Sequence, residues 1–407
     1  MPAQSACDLI SETPIHDCID TLKNVQYGQG KRDYFFPDPQ NGCAPIEPLF
    51  TDIFQPCSAG TAPRPLIIFV HGGAFAAGNK SDFWAQCHDF ARRGYLTATI
   101  QYRLSINLLT LNRRDLIRAG FRAQQDAKAA VRFFKANADQ YNVDTSNIFM
   151  VGYSAGAVTA LNVVYAQDAD ERPDEANLDP SCGNWFGCPF CPDIGTLEGE
   201  GGNPGFSSKV KAIYSMAGAV MDLSLMDEHD DAPVAMIHGT ADETVAYDSS
   251  CFLNLTPCPK LYGSNSIQQR AEEIGLCTQL HTLQGAGHDM SPFLQTIVTE
   301  ASAYFLQLVC EGSPCAISAA QEVAAVPALQ VFPNPATDWV EAVLPPGSEG
   351  RVFLVNATGH VLASHLLDGT ARSLRISLGG YPAGMYFLQW KDARSGRMSV
   401  EKLVVRG

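Results

Sequence analysis

A serine at position 154 stands in a setting that could make it a nucleophile. Gly152 and Gly156 lie two residues before and two residues after Ser154. Residues 147–151 read as a short buried strand, and residues 157–165 read as a helix rich in Ala, Leu and Val. A turn this tight strains the backbone of its central residue, so only small residues fit on either side. The turn also aims the hydroxyl at a helix N-terminus, which favours negative charge.

A serine hydroxyl needs a general base, and the base needs a carboxylate to orient it. Asp242 follows the apolar run 234–239, and His288 follows the strand-like run 279–283. Both residues are expected at the carboxyl edge of a parallel sheet, where catalytic groups gather. The chain order Ser, Asp, His suits a nucleophile turn. We therefore predict Ser154 as the nucleophile, His288 as the base and Asp242 as its orienting acid.

Other polar residues compete for these roles. Glu243 and Asp289 stand next to the two predicted partners and are alternative acids. His238 and His281 lie within strand patterns, where we expect packing or capping roles. Asp126 lies on a long helix that the sequence predicts near residues 121–138, and it is interpreted as a structural ion-pair partner.

Five segments in one order make residues 66–309 resemble the α/β-hydrolase fold, in its branch of small-ester carboxylesterases. They are His71-Gly72-Gly73-Ala74-Phe75, Gln101-Tyr102-Arg103-Leu104, Gly152-Tyr153-Ser154-Ala155-Gly156, His238-Gly239-Thr240-Ala241-Asp242 and Gly285-Ala286-Gly287-His288. The strands that alternate with helices agree with a mostly parallel sheet covered on both faces. One departure is Ala74, where the family often has a third glycine. Its methyl group leaves the backbone N–H free to donate but narrows the neighbouring acyl pocket.

The resemblance implies ester hydrolysis through an acyl-enzyme, with no metal and no cofactor. It favours Asp242 over its neighbours because Asp242 stands three residues after Gly239. The developing oxyanion needs preorganised donors, each worth about 3 kcal/mol of barrier. We expect the backbone N–H groups of Gly73, Ala74 and Ala155 to supply them. The side chains expected to contact the substrate are aromatic: Phe75, Tyr153, Trp185 and Phe186.

Cysteine usage points to export. Thirteen cysteines lie between Cys7 and Cys315, and the last 92 residues hold none. So many thiols favour disulfides in an oxidising compartment. One C-x-x-C pair, Cys188 and Cys191, leaves zinc as an alternative, although a structural zinc site normally takes four ligands. We expect a buried free thiol at Cys87 and three local pairs: Cys7 with Cys18, Cys43 with Cys57, and Cys251 with Cys258.

The net charge of −15 is spread unevenly over the 407 residues. Residues 318–407 hold eight Lys or Arg against seven Asp or Glu, so the remainder carries −16. An acidic surface repels phosphate backbones and anionic lipids, so we expect no nucleic-acid partner and no membrane insertion. The longest aliphatic stretch, near residues 66–70, is far shorter than the ~20 residues of a membrane span. The first thirty residues lack the features of a signal peptide, so we expect a signal to have been removed.

The alternation of strands and helices, predicted for a catalytic domain over residues 1–315, is interrupted once. Residues 166–209 hold nine acidic residues and three cysteines, and they predict either a lid over the cleft or a disulfide-tied surface excursion. Residues 316–328 read as an Ala-rich linker. Residues 329–407 show short β-patterns between Gly-rich turns, which predict a small all-β sandwich.

Three segments of this β-domain resemble the C-terminal sorting domain of the type IX secretion system. They are Phe332-Pro333-Asn334-Pro335, Gly384-Met385-Tyr386 and Lys402-Leu403-Val404-Val405. The resemblance implies export across the outer membrane, with the export machinery as a partner and a secreted or surface location. An ordinary accessory β-domain is the alternative.

These expectations together describe a secreted serine carboxylesterase for small or aromatic acyl esters, such as acetyl or feruloyl esters of plant polysaccharide. A polyester hydrolase would use the same chemistry on an extended substrate. From another class, a non-catalytic surface adhesin could use a hydrolase scaffold. The complete set of Ser154, Asp242 and His288 argues against the adhesin, because a binding module needs no nucleophile.

Overall fold

The computed structural model describes residues 5–31, 43, 45–57, 60, 62–105, 113–227, 232–251, 260–312, 329–344, 348–356, 361–369, 373–392 and 398–406. The chain divides into two compact units, Met1–Cys315 and Ala316–Gly407. We call them the catalytic unit and the sorting unit, after the roles that the sequence predicts for them. The predicted linker at 316–328 lies outside the described residues.

The catalytic unit alternates strands with helices. Its strands are β1 (Ile19–Lys31), β2 (Ile46–Pro56), β3 (Arg64–Val70), β4 (Leu96–Ile100), β5 (Val143–Tyr153), β6 (Asn184–Trp185), β7 (Cys188–Pro189), β8 (Ala212–Met216), β9 (Ala219–Val220), β10 (Val234–Gly239), β11 (Ser249–Cys251), β12 (Lys260–Gly263) and β13 (Thr278–Leu283). Its α-helices are α1 (Trp84–Arg92), α2 (Arg113–Ala136), α3 (Ala138–Tyr141), α4 (Ala155–Tyr165), α5 (Ser264–Ile274) and α6 (Leu294–Cys310). Short 3₁₀ turns cover Ala6–Leu9, Lys80–Phe83, Ala169–Glu171, Asp174–Ala176, Pro180–Cys182, Leu223–Leu225 and Ser291–Phe293.

One eight-stranded sheet organises the described part of this unit, in the order β1-β2-β4-β3-β5-β8-β10-β13. The strands from β4 to β13 pair in parallel, while β1 and β2 are joined antiparallel at one edge. Leu66 and Ile68 of β3 pack with α2 and α4, whereas Ile67 and Phe69 pack with α1 and α6. All residues of β3 are buried, as expected where helices cover both faces. The predicted α/β class is confirmed.

The segment Ser291–Cys310, which contains α6, is long and apolar enough to cross a membrane by length and composition alone. Core helices of soluble proteins pass the same test. Ala301, Phe305 and Leu308 of α6 are buried, and the Phe305 ring stacks on Phe149 of β5 with centroids 4.7 Å apart. This packing against the sheet accounts for the apolar sequence of α6.

The insertion at residues 166–209 packs against α2. Lys128 and Arg132 of α2 are buried and bind Glu198 of the insertion at 2.8 and 2.7 Å. Gln125 donates to two backbone carbonyls of the insertion at 2.8 and 2.7 Å. These polar residues look surface-like in sequence, and the expected helix start near residue 121 is wrong because α2 already begins at Arg113. The lid and the disulfide-tied surface excursion both stay predictions for this segment.

The described disulfides are Cys7–Cys310, Cys18–Cys57, Cys43–Cys188 and Cys182–Cys191. The expected pairs Cys7–Cys18 and Cys43–Cys57 are therefore wrong. Tertiary packing brings the first 3₁₀ turn against α6 and Cys43 against the insertion, so proximity in sequence does not decide the pairing. Cys258, in the third expected pair, lies outside the described residues.

Two further cysteine predictions are settled by these bonds. Cys188 and Cys191, the C-x-x-C pair, each form a disulfide, so the zinc alternative is wrong. Cys87 on α1 is buried with a free thiol, as expected. Burial raises the pKa of the Cys87 thiol well above its ordinary value, so it stays protonated.

The sorting unit is built from antiparallel strands. They are β14 (Gln330–Phe332), β15 (Trp339–Val343), β16 (Glu349–Asn356), β17 (Val361–Asp368), β18 (Ser373–Ser377), β19 (Gly384–Asp392) and β20 (Met398–Val405). They form one sheet in the order β14-β15-β18 and another in the order β17-β16-β19-β20. Val340 and Ile376 of the first sheet share a buried core with Leu388 and Trp390 of the second. The predicted β-sandwich is therefore present, with β14 and β15 as strands that the sequence patterns missed.

Candidate active site

Ser154 lies in a strained turn between β5 and α4, with φ of 54° and ψ of −121°. Such a backbone costs a non-glycine residue on the order of 1–3 kcal/mol and clusters at functional sites. A Cβ on Gly156 would lie 2.0 Å from the carbonyl oxygen of Val70, and one on Gly152 would lie 2.3 Å from the carbonyl oxygen of Gly156. The close approach of β3 therefore requires Gly156, and the close approach of the start of α4 requires Gly152.

The fold brings Ser154, His288 and Asp242 together. Ser154 Oγ lies 2.8 Å from Nε2 of His288, and Nδ1 of His288 lies 2.7 Å from Oδ2 of Asp242. The three residues follow β5, β10 and β13, which are parallel, so their carboxyl ends share one edge of the sheet. With a neutral His288, the serine hydroxyl donates to Nε2 and the Nδ1–H donates to the carboxylate.

Asp242 is buried and bonded on both oxygens. Its Oδ1 accepts the N–H groups of Thr244 and Val245 at 2.8 and 2.9 Å. Its Oδ2 accepts from His288 and also lies 3.2 Å from Nε2 of His238. Burial alone would raise the pKa of the Asp242 carboxyl, but hydrogen bonds from His238, His288 and Val245 lower it well below its ordinary range. Asp242 is therefore an anion at neutral pH.

The loop beside Ser154 is sharply bent. Gly73, Ala74 and Phe75 have φ values of 113°, 54° and 59°. The N–H groups of Ala76 and Ala77 donate to the Gly73 carbonyl at 3.0 and 2.9 Å, which closes the bend. A Cβ on Gly73 would lie 2.2 Å from the carbonyl oxygen of Ala77, so this position needs glycine.

His71 packs beneath residues 73–75 and stabilises that loop. Its buried ring stacks on Tyr102 with centroids 4.3 Å apart, and its Nδ1 bonds the Gly72 carbonyl at 2.7 Å. The Tyr102 hydroxyl donates to the His71 carbonyl at 2.9 Å. Burial lowers the pKa of His71, so the ring stays neutral and its role is structural.

An apolar pocket opens next to Ser154 and holds about 490 Å³ of empty space, its open mouth included. The N–H of Ala155 begins α4, where a backbone donor has no intrahelical acceptor. The lining comes from several elements: Ala74, Phe75, Leu116, Ser154, Ala155, Val158, Met221, Thr244, Val245 and Leu261. The pocket thus places apolar side chains beside the Ser154 hydroxyl and the start of α4.

Residues 51–230 match the family model described as BD-FAE, an esterase domain of the α/β-hydrolase fold. Residues 330–406 match the model of the secretion system C-terminal sorting domain. The chain therefore carries a domain of the α/β-hydrolase fold and a sorting domain. The second match marks it for export by type IX secretion to the cell surface or the extracellular space.

Relatives of this α/β-hydrolase match over short stretches. Juvenile hormone esterase of Heliothis virescens is 31% identical over 103 residues, which is 25% of this chain and 18% of that protein. Neuroligin-like protein glit-1 of Caenorhabditis elegans is 31% identical over 27% of this chain and 15% of its own. Esterase LipC of Mycobacterium tuberculosis is 26% identical over 36% of this chain and 32% of its own. The chain thus spans less than a third of each of these relatives.

Among solved structures, the apo form of Thermogutta terrifontis esterase 2 is similar. It is 20% identical, with a TM-score of 0.47 over 64% of this chain and 90% of that one.

The four aromatic residues predicted to contact the substrate lie in different surroundings. Phe75 lines the pocket. Tyr153 stacks on His288 with centroids 5.4 Å apart, and its hydroxyl donates to the His288 carbonyl at 2.9 Å, so its contacts are with the base. Phe186 is 82% exposed on the hairpin of β6 and β7, away from the lining. The side chain of Trp185 lies outside the described part of the chain.

The competing polar residues have other partners. Glu243 is exposed, and Asp289 accepts the N–H and the hydroxyl of Ser291 at 2.9 Å each. Asp126 binds the Arg103 guanidinium at 2.6 Å, as the ion-pair interpretation expected. In the described residues, no group of three or more His, Cys, Asp or Glu is arranged to hold a metal ion.

Several residues of the pocket and around Asp242 were not predicted from the sequence. Leu116, Met221 and Leu261 line the pocket but come from three distant segments, and no local pattern marks them. His238 was expected only to pack or cap, yet it contacts Asp242. Its spacing of four residues from Asp242 was the one available signal.

Proposed function

We propose that the protein is a secreted serine carboxylesterase that cleaves small or aromatic acyl esters through an acyl-enzyme at Ser154. One observation carries the proposal: Ser154, His288 and Asp242 form a continuous hydrogen-bonded series at the mouth of an apolar pocket. A hydroxyl, an imidazole and a buried carboxylate in this order make up a nucleophile with its base and orienting acid.

Acylation begins when Ser154 Oγ attacks the ester carbonyl while Nε2 of His288 accepts the hydroxyl proton. The tetrahedral intermediate collapses, the bond to the alcohol oxygen breaks, and His288 gives its proton to that oxygen. Asp242 stays ionised throughout, because hydrogen bonds lower the pKa of its carboxyl. Its charge stabilises the imidazolium and holds the proton on Nδ1.

The oxyanion of that intermediate would bind backbone donors. We assign the N–H groups of Gly73, Ala74 and Ala155, since Ala74 and Ala155 border the pocket together with Ser154. Each such donor is worth about 3 kcal/mol of barrier. Deacylation repeats the sequence with water, which His288 deprotonates, and releases the carboxylic acid.

The acyl group would occupy the apolar pocket. Phe75, Leu116, Val158, Met221 and Leu261 offer it hydrocarbon contacts, and each buried methylene contributes about 0.8 kcal/mol. The lining suits an acetyl group or an aromatic acid such as ferulate, and export fits esters on an extracellular polysaccharide. A polyester hydrolase would share every step. An adhesin would have no use for the hydrogen-bonded serine.

The test compares Ser154→Ala with Ser207→Ala, an exposed serine of the insertion. Hydrolysis of p-nitrophenyl acetate should fall by about 10⁴-fold or more in the first variant and stay unchanged in the second. Equal rates in Ser154→Ala and the unaltered protein would refute the proposal. A panel of acetyl, butyryl and feruloyl esters and a soluble polyester oligomer then ranks the substrates by kcat/KM.

A further inference from the structure

A second histidine touches the predicted acid. His238, the fifth residue of β10, is completely buried. Its Nε2 lies 3.2 Å from Oδ2 of Asp242 and 2.9 Å from the carbonyl oxygen of Val245, while its Nδ1 lies 2.8 Å from Oγ of Ser264. The acylation scheme above uses only the contact with Asp242, and only to keep that carboxylate ionised.

The partners fix the proton on His238. Nε2 faces two groups that only accept, the Asp242 carboxylate and the Val245 carbonyl, so Nε2 must carry a hydrogen. Nδ1 of a neutral ring then accepts, and the Ser264 hydroxyl is its donor. Ser264 is the first residue of α5, so this helix and β10 together hold the ring in place.

We infer that His238 is a positioning residue: its Nε2–H, fixed by Ser264, orients the Asp242 carboxylate and shares its charge with His288. The inference rests on the proposed function and deepens it. Two imidazole N–H groups meet on one oxygen, Oδ2. A carboxylate that already bonds His238 stabilises the His288 cation less than an unshared one would. His238 therefore helps to set the pH at which His288 becomes a free base.

Other titratable groups face this series from neighbouring elements. Tyr153 stacks on His288, and Asp289 is the residue that follows His288 in the chain. Tyr247 lies edge-on to His238, with ring centroids 5.7 Å apart. Burial raises the pKa of Tyr153, so its hydroxyl is neutral at the pH of interest. Asp289 is the exposed charge that needs its own control.

The experiment uses the full chain and three substitutions. His238→Leu removes both ring nitrogens, His238→Gln keeps an amide N–H near the position of Nε2, and Asp289→Asn removes the nearby charge. With p-nitrophenyl acetate, His238→Leu should lower kcat about 10-fold with little change in KM. It should also shift the acidic limb of the kcat/KM profile upward by about 0.5–1 pH unit. His238→Gln should restore most of the kcat and most of the position of the acidic limb. Asp289→Asn should shift the acidic limb of the kcat/KM profile slightly to lower pH.

A second readout does not depend on turnover. NMR titration of ¹⁵N-histidine-labelled protein reports the midpoint of His288 directly, and it should rise in His238→Leu as the kinetic limb does. A wild type without ester hydrolysis would refute the proposed function, while this titration would still test His238. An unchanged titration midpoint of His288 in folded His238→Leu would overturn the inference. Equal shifts of that midpoint in His238→Leu and His238→Gln would overturn it too.

Ser264→Ala covers the case in which His238→Leu does not fold. It removes the hydroxyl that donates to Nδ1 and so weakens the Nε2–H as a donor, because linked hydrogen bonds strengthen one another. The His288 midpoint should rise in this variant too, by less than in His238→Leu. A midpoint equal to that of the wild type in Ser264→Ala would then overturn the inference.

Discussion

The catalytic unit and the sorting unit are stabilised by different means. The catalytic unit carries a charge of −16, contains all thirteen cysteines and is cross-linked between distant segments, as in Cys7–Cys310. The sorting unit has a charge of +1 and no cysteine, and its fold depends on antiparallel ladders around Trp390 and Leu388. The sorting unit can therefore fold in a reducing or an oxidising compartment, whereas the catalytic unit reaches its full stability only after oxidation.

The sorting unit replaces cross-links with side-chain hydrogen bonds. Asn334, in the Phe-Pro-Asn-Pro segment, donates through Nδ2 to the Lys402 carbonyl at 2.6 Å and accepts the N–H of Val404 at 3.0 Å. Two of the three segments that resemble a sorting domain are thus bonded to each other. Although the two segments are far apart in sequence, they form one structural feature. In it, the first residues of the sandwich are attached to its last strand.

The largest expected difference between the units concerns disulfides. Replacing Cys7 and Cys310 by serine opens a bond with a sequence separation of 303 residues. The chain-entropy model gives such a bond about 5 kcal/mol, or a melting shift of about 10 °C in a unit of this size. Calorimetry of the full chain should show the catalytic transition at lower temperature and the sorting transition unmoved. If both transitions moved equally, the contrast between the units would be lost.

A smaller effect is expected from acid. Hydrogen bonds lower the pKa of Asp242 in the folded state below the unfolded value of about 3.9. The stability that this anion contributes is complete above the unfolded pKa and is lost as the pH falls toward the folded pKa. The melting temperature of the catalytic unit should therefore fall below about pH 4.

Asp242→Asn has no carboxylate to protonate, so its melting temperature should depend less on pH in that range. Asp20→Asn, at an exposed site on β1, is the matched control and should follow the wild type. A wild-type slope in Asp242→Asn would show that other carboxylates carry the acid response.

The smallest expected effect is on turnover when the sorting unit is absent. The residues that line the pocket and those that bond Ser154, Asp242 and His288 all lie in the catalytic unit. A chain that ends at Cys315 should keep its kcat/KM within about twofold, given that distant, independent sites rarely couple. Loss of turnover in this shortened chain, with the circular dichroism of the α/β fold retained, would contradict the separation.

Local chemistry made the core of the site predictable. Gly152 and Gly156 indicate the turn in the sequence, because the close contacts that require glycine involve only neighbouring residues and β3. Asp242 and His288 each follow a strand that the sequence pattern predicts. The pocket residues Met221 and Leu261 could not be found, because only the folded sheet brings their segments to Ser154.

Pairing over long distances was equally hidden in the sequence. Cys7 was assigned to a near neighbour although its partner lies 303 residues away on α6. Phe186, assigned to the substrate because of its aromatic type, is 82% exposed on a hairpin, and that assignment stays a prediction. The error at Cys7 arises because a residue's type is informative but its place in space depends on distant packing.

The ion pairs beneath the insertion have one more consequence. Lys128 and Arg132 are almost fully enclosed, and Glu198 is the carboxylate that balances them. Pulling the segment away would separate Glu198 from both cations and break the two ion pairs at once, so these contacts hold the insertion against α2. A nick by an extracellular protease in the exposed hairpin would leave the cut ends tethered, so the fold of this unit should tolerate such damage.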